Sequence, residues 1–341
     1  MPSPSPVPGA SRSWSRRGLL ASGLALATSA CTLSDPAVRG TGPGPTPRRS
    51  ASPSPGPTPG ATATGPALVP GELTLATRAA SVAAGLERPT AQAAALVDLV
   101  RRTHLARAAV LAAPYPDPAP VTPGPTPSPS AAPPTRDRAP LVAAERAAAG
   151  RYRRAALAAA GPTALLLGSM AVAGDRFARA LTAAEPPRAG TLSPLPPVAR
   201  VSDTGAVAAV VTALHAVVYG YQEALGRLAA GSADHTRALA ALRKRRALLD
   251  RLSDVLITAG ADVPVASPAY AVTPRPTSAA TAGRLVRHLE QGLLPFCGLW
   301  LASAARAGDR ALALDTLAAT AAAAESWGAP LLPWPGYPTS G

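Results

Sequence analysis

Proline decides where this chain can be regular. Prolines and glycines gather chiefly in residues 32–70, 114–134 and 186–202, with a further loop at 261–277. Proline lacks an N–H and its ring blocks the preceding turn, so no long helix or central strand crosses such stretches. Between them alanine and leucine dominate with helical spacing. The pattern predicts helices over about 71–87, 90–113, 139–160 and 163–184, then about 203–230, 233–259, 278–307 (interrupted by Pro295) and 309–327. Gly161-Pro162 reads as the stop between the third and fourth, and Gly260 as a C-terminal cap. No strand pattern is present. Aromatics are 4% of the chain, which calls for a core of alanine and leucine with closely approaching helices.

The plan of two helices, a long crossover and two helices occurs twice. Residues 71–185 form one helical region around a Pro-rich loop at 114–138. Residues 186–202 are a linker, and residues 203–338 form a second helical region. The expected fold class is therefore all-α, a four-helix bundle with a long crossover loop preceded by a second, divergent helical bundle. The tail carrying Trp334 and Tyr337 is expected to pack across a bundle end.

The N-terminus reads as an export signal. Arg16-Arg17 opens an apolar run from Gly18 to Ala30, too short for the ~20 residues that span a bilayer. The arginine pair resembles a twin-arginine signal, which implies export of an already folded protein. Thr28-Ser29-Ala30-Cys31 resembles a bacterial lipobox, with Thr28 where Leu, Val or Ile is usual. The resemblance implies cleavage before Cys31, lipid on its sulfur, and a signal peptide over residues 1–30. Several acyl chains give stable anchoring. Residues 31–70 then read as a tether rich in Pro, Gly, Ser and Thr, unable to bury enough apolar surface to fold. Cys297, in an apolar helical pattern, reads as a small core residue.

The formal net charge is +14, or +11 once cleavage removes Arg12, Arg16 and Arg17. A positive surface favours anionic lipid or wall polymer. Nucleic acid is not an expected partner, because an exported protein rarely meets it.

Leu214-His215-Ala216-Val217-Val218-Tyr219-Gly220-Tyr221, Arg243-Lys244-Arg245-Arg246, Pro268-Ala269-Tyr270 and Trp334-Pro335-Gly336 together resemble a ferritin-like domain family of unknown function, found in exported proteins of GC-rich bacteria. The resemblance covers residues 205–338 and implies a bundle with one long crossover. Working ferritin-like centres use a Glu on each of two helices and Glu-x-x-His on the other two. None of Glu72, Glu87, Glu145, Glu185, Glu223, Glu290 or Glu325 is followed by such a histidine. Leu214 stands where relatives often have Glu, and Gly174 and Phe177 occupy places where a Glu-x-x-His pair would suit the first bundle. No metal site and no cofactor are expected. The four histidines His104, His215, His235 and His288 lie on different helices and read as surface or internally satisfied residues. No Gly-x-Ser-x-Gly or other nucleophile constellation occurs, so no catalytic residues and no enzyme activity are expected.

One buried polar pair is expected. Along the helix from about 233, Leu242, Leu249, Leu252 and Leu256 define a buried stripe with Arg245 in its middle. A core-facing guanidinium needs a partner. Glu290, flanking the stripe of Leu285, Leu289, Leu293 and Phe296, is the candidate; snorkelling of Arg245 to solvent is the alternative. The expected function is a non-catalytic interaction or scaffold module, membrane-bound through its lipid on the extracytoplasmic face, with an envelope protein or anionic polymer as partner. Binding of a small ligand or metal in a degenerate bundle, and binding of anionic lipid or wall polymer, are the alternatives.

Overall fold

The computed structural model describes residues 64–113 and 133–338. Arg16, Arg17 and Cys31 lie outside them. Eight helices are present among the described residues: α1 (Thr64–Gly85), α2 (Ala91–Ala112), α3 (Ala139–Ala158), α4 (Gly161–Thr182), α5 (Asp203–Leu225), α6 (Ala233–Thr258), α7 (Ala279–Ser303) and α8 (Ala307–Ser326). No strand occurs among these residues; one isolated parallel bridge joins Ala189 to Leu331.

Local chemistry explains most boundaries. Thr90, Ser202, Ser232 and Ser278 each cap a helix by accepting a hydrogen bond from a first-turn N–H, satisfying one of its orphan donors. Pro162 follows the α4 start rather than ending α3, the position where a missing N–H costs least. Two expectations needed correction. The helix expected from residue 71 begins at Thr64 and runs through Pro70, so residues 64–70 are helix rather than tether. A single proline removes one backbone bond, and burial of Leu75, Ala76, Ala79 and Val82 outweighs it. Likewise α7 is continuous through Pro295, where Leu293, Leu294 and Cys297 are buried on either side.

In the first half α1 packs on α2 and α3, and α4 closes the ring against α3 and α2. In the second half α5 lies between α6 and α7, and α8 packs on α7. Contacts of α4 with α7 and α8 join the halves, and one continuous apolar core runs through both. Close approach relies on glycine. A Cβ on Gly168 would meet the Leu301 side chain across the α4–α7 seam, and one on Gly220 would meet Leu289 across α5–α7. The crossover loop lies along α5, where His215 pairs with the Pro264 carbonyl at 3.0 Å and the rings of Tyr219 and Tyr270 are 5.5 Å apart.

The tail does more than cover a bundle end. Trp334 and Tyr337 are buried. Gly336, at φ +95°, brings its backbone onto Gly298 of α7 so closely that a Cβ on Gly298 would collide with it. Leu331 exchanges backbone hydrogen bonds with the linker, donating to Arg188 at 2.8 Å and accepting from Gly190 at 2.9 Å.

Candidate functional site: two enclosed polar centres

Each half of the chain holds a polar centre inside its apolar core. In the second half, Arg245 of α6 is 6% exposed and Glu290 of α7 is 0% exposed. The guanidinium grips the carboxylate twice, with Nε donating to Oε1 at 3.1 Å and Nη2 donating to Oε2. Tyr221 of α5 adds a third hydrogen bond, its hydroxyl donating to Oε1 at 2.6 Å. The structure thus brings together Arg245, found by helical rotation, and Glu290, its candidate partner flanking the stripe of the third helix. Burial lowers the tendency of Arg245 to stay charged, and the Glu290 carboxylate more than reverses this. Leu242, Leu252 and Leu256 surround the pair's helix face, while Leu249 is only half-buried. Leu214 is fully buried two turns before Tyr221, and the group that α5 brings to the pair is the Tyr221 phenol. Cys297 is also fully enclosed, 3.9 Å from the Thr320 hydroxyl. Burial pushes its thiol up to about 11, so it is not a thiolate at neutral pH.

The centre in the first half was not singled out from the sequence. His104 of α2 is 0% exposed and stands between two carboxylates. Its Nδ1 is 2.7 Å from Glu72 Oε2 on α1, and its Nε2 is 2.6 Å from Glu145 Oε1 on α3. Tyr152, two turns along α3, donates its hydroxyl to Glu72. Burial alone would drive the imidazole towards its neutral form, but Glu145 and Glu72 outweigh that and raise its pKa to about 9. Burial likewise opposes ionisation of Glu72, and His104 reverses it to hold that carboxyl below its ordinary value. The two neighbours thus favour the imidazolium form of His104, and His104 in turn the ionised form of Glu72.

Arg107, one turn beyond His104, is also fully buried. Its guanidinium carbon lies 5.7 Å from the ring centres of both Phe177 on α4 and Trp334 in the tail. Among the described residues its guanidinium nitrogens have no hydrogen-bond partner, and neither does Glu145 Oε2. Coulombic attraction to Glu72 and the faces of two aromatic rings are what hold this charge in the core. Gly174 stands against Glu145: a Cβ there would be 3.5 Å from Oε2. Gly174 and Phe177 thus do face the polar centre, one leaving room for Glu145 and the other stacking on Arg107.

The signal for this centre was periodic. His104 and Arg107 share a stripe with Val97, Val100 and Leu111, and Glu72 shares one with Leu75, Ala76 and Ala79. Charged residues in the middle of apolar stripes mark it; Glu-x-x-His spacing does not, since Arg101 stands three residues before His104. The other histidines are more open: His215 and His235 are half-buried and His288 is exposed.

The centres share a plan with the roles exchanged. Glu145 and Glu290 each sit on the third helix of their half. In the first half the tyrosine is seven residues further along that same helix and bonds a glutamate on the first helix. In the second half the tyrosine is on the first helix and bonds the glutamate on the third. Among the described residues no group of three His, Cys, Asp or Glu side chains converges as metal ligands would. In the first centre the His104 ring lies between the carboxylates, with both ring nitrogens already engaged.

A domain of unknown function, DUF4439, matches residues 206–339. The chain is similar to a conserved hypothetical protein of Mycobacterium tuberculosis whose crystal structure is known, with 26% identity over 37% of this chain and 93% of that one, at a TM-score of 0.35. No curated protein matches.

Proposed function

We propose that this is a lipid-anchored protein of the extracytoplasmic face of the membrane, whose helical body is a non-catalytic interaction or scaffold module of ferritin-like descent. The observation that carries the non-catalytic reading is the closure of both polar centres. Both Glu290 oxygens are taken by Arg245 and Tyr221, and both His104 nitrogens by Glu72 and Glu145. A catalytic group must reach a substrate atom; these groups reach one another in enclosed cores. The ferritin-like reading is supported by the helix plan and by the carboxylate on the third helix of each half.

The anchor reading rests on Arg16-Arg17, the short apolar run and Ala30-Cys31. Replacing Cys31 with alanine should abolish acylation, read by intact mass, and move the protein from membrane to soluble fractions. Unchanged mass and fractionation would overturn it. A second reading, a small ligand or metal held in a degenerate bundle, draws on the Arg107 guanidinium and Glu145 Oε2, which have no hydrogen-bond partner among the described residues. Metal analysis separates the two: the scaffold reading expects well under one iron, manganese or zinc per chain after dialysis, and stoichiometric metal would favour the second.

A further inference from the structure

Charge is unevenly distributed over the helices. On α2, α4 and α6 and at the start of α8 arginines stand beside aspartates: Arg101 and Arg102 with Asp98, Arg179 with Asp175, Arg237 with Asp234, and Arg306, just before α8, with Asp309. α1, α3 and α7 carry no aspartate, and α1 and α3 pack against each other. The acids of α1 and α3 are Glu72 and Glu145 alone, both fully buried in the polar centre. Their exposed charges are all arginine: Arg78 on α1 and Arg146, Arg151 and Arg154 on α3. None of these four makes an ion pair among the described residues, whereas Arg153 reaches Asp315 of α8.

Three of the four share one side. Gly71 and Arg78 are seven residues apart and so lie on the same face of α1. The guanidinium of Arg151 lies over Gly71, 4.0 Å from where a Cβ would stand. Arg154 is on the solvent side of α3, opposite the buried stripe of Leu141, Glu145, Ala149 and Tyr152. Arg78 and Arg151 therefore flank the α1–α3 seam, and Arg154, its guanidinium over Gly150, extends the cationic surface onto the adjoining solvent side of α3. Ordinary soluble surfaces mix both signs.

We propose that this α1–α3 face docks on the anionic phospholipid surface of the membrane that carries the anchor. The occupant is argued from charge and from chain length. Only residues 32–63 separate Cys31 from α1, and even fully extended they span at most roughly 110 Å. Resting on the lipid-anchor reading, this tie keeps α1 at high effective concentration beside headgroup phosphates, so weak contacts suffice. Guanidinium forks match phosphate oxygens in pairs. Each basic side chain at an anionic leaflet strengthens association about fivefold, so three give roughly a hundredfold, falling with salt.

The test uses the full chain carrying Cys31→Ala and co-sedimentation with vesicles of phosphatidylglycerol and phosphatidylcholine, against phosphatidylcholine alone. Because this chain has no lipid, the result judges the face whether or not Cys31 is acylated; the anchor is judged separately by fractionation of the intact chain. Binding to the anionic vesicles is expected, weakening as salt is raised. Arg78→Gln, Arg151→Gln and Arg154→Gln together should reduce it by ten- to a hundredfold, while Lys at all three positions should retain most of it. Arg243→Gln, Arg246→Gln and Arg251→Gln on α6 remove the same charge and should change it less than about threefold. Equal loss in the two glutamine variants would mean net charge alone binds, and would overturn the proposal. So would absence of binding by the parent, equal binding to neutral vesicles, or capture by an anionic wall polymer in preference to vesicles.

Discussion

The Arg245 guanidinium lies on the Glu290 carboxylate inside the second half of the molecule, each side chain anchored to a different helix. Two opposite charges in a low-dielectric core hold each other there, and removing either strands the other. Glu290→Ala should destabilise the protein by roughly 3–5 kcal/mol in reversible denaturant unfolding. Adding Arg245→Leu should recover much of that loss, because an apolar side chain suits the surrounding leucines. An effect of Glu290→Ala below about 1 kcal/mol would show that the pair is not buried.

The imidazole of His104 gives the protein a pH signature. Its pKa is raised in the folded state to about 9, from an ordinary value of 6.5. Between these values the folded protein holds a proton that the unfolded chain releases, so this contribution is complete below pH 6.5. It is lost as pH rises towards 9. Stability should fall over that window by up to about 3 kcal/mol, read from urea midpoints. His104→Gln should be less stable at pH 6 and show a flatter profile. A parent profile level from pH 6 to 9.5 would mean the ring is not held charged.

Gly298 and Gly336 touch backbone to backbone where the tail crosses α7. Gly298→Ala has no room at that contact and should lift the tail, exposing Trp334. A red shift in tryptophan emission and a loss of about 1–3 kcal/mol are expected. Gly308→Ala, with open space around its Cβ position, serves as the control. Equal behaviour of the two variants would argue against the tail contact.

Replacing Arg16 and Arg17 with lysine keeps the charge and loses the planar, multidentate recognition that the pair offers. Export should fall sharply, measured as the extracytoplasmic fraction. Normal export of the double-lysine chain would point to the general secretion route.

Sequence alone determined where helices can form and which of their faces are apolar. Proline clusters exclude regular structure over long stretches, and 3.6-residue periodicity is a property of each segment taken singly. Seven of the helices begin within two residues of the expected starts, and α1 is extended through Pro70 because packing outweighed one missing bond. The same rotation argument found Arg245 in its stripe, since a charge between leucines is visible without knowing the neighbours. Tertiary structure decided which charged stripes meet. His104, Glu72 and Glu145 stand on three helices, with a long Pro-rich stretch of sequence between the second and the third, and no spacing rule links them. Their pairing arises because a charge caught between apolar neighbours must find an opposite charge when the helices close, and helix packing determines which one is in reach. The Trp334 ring over Arg107 is the furthest case, joining the tail to the second helix through a contact that exists only after both halves have packed.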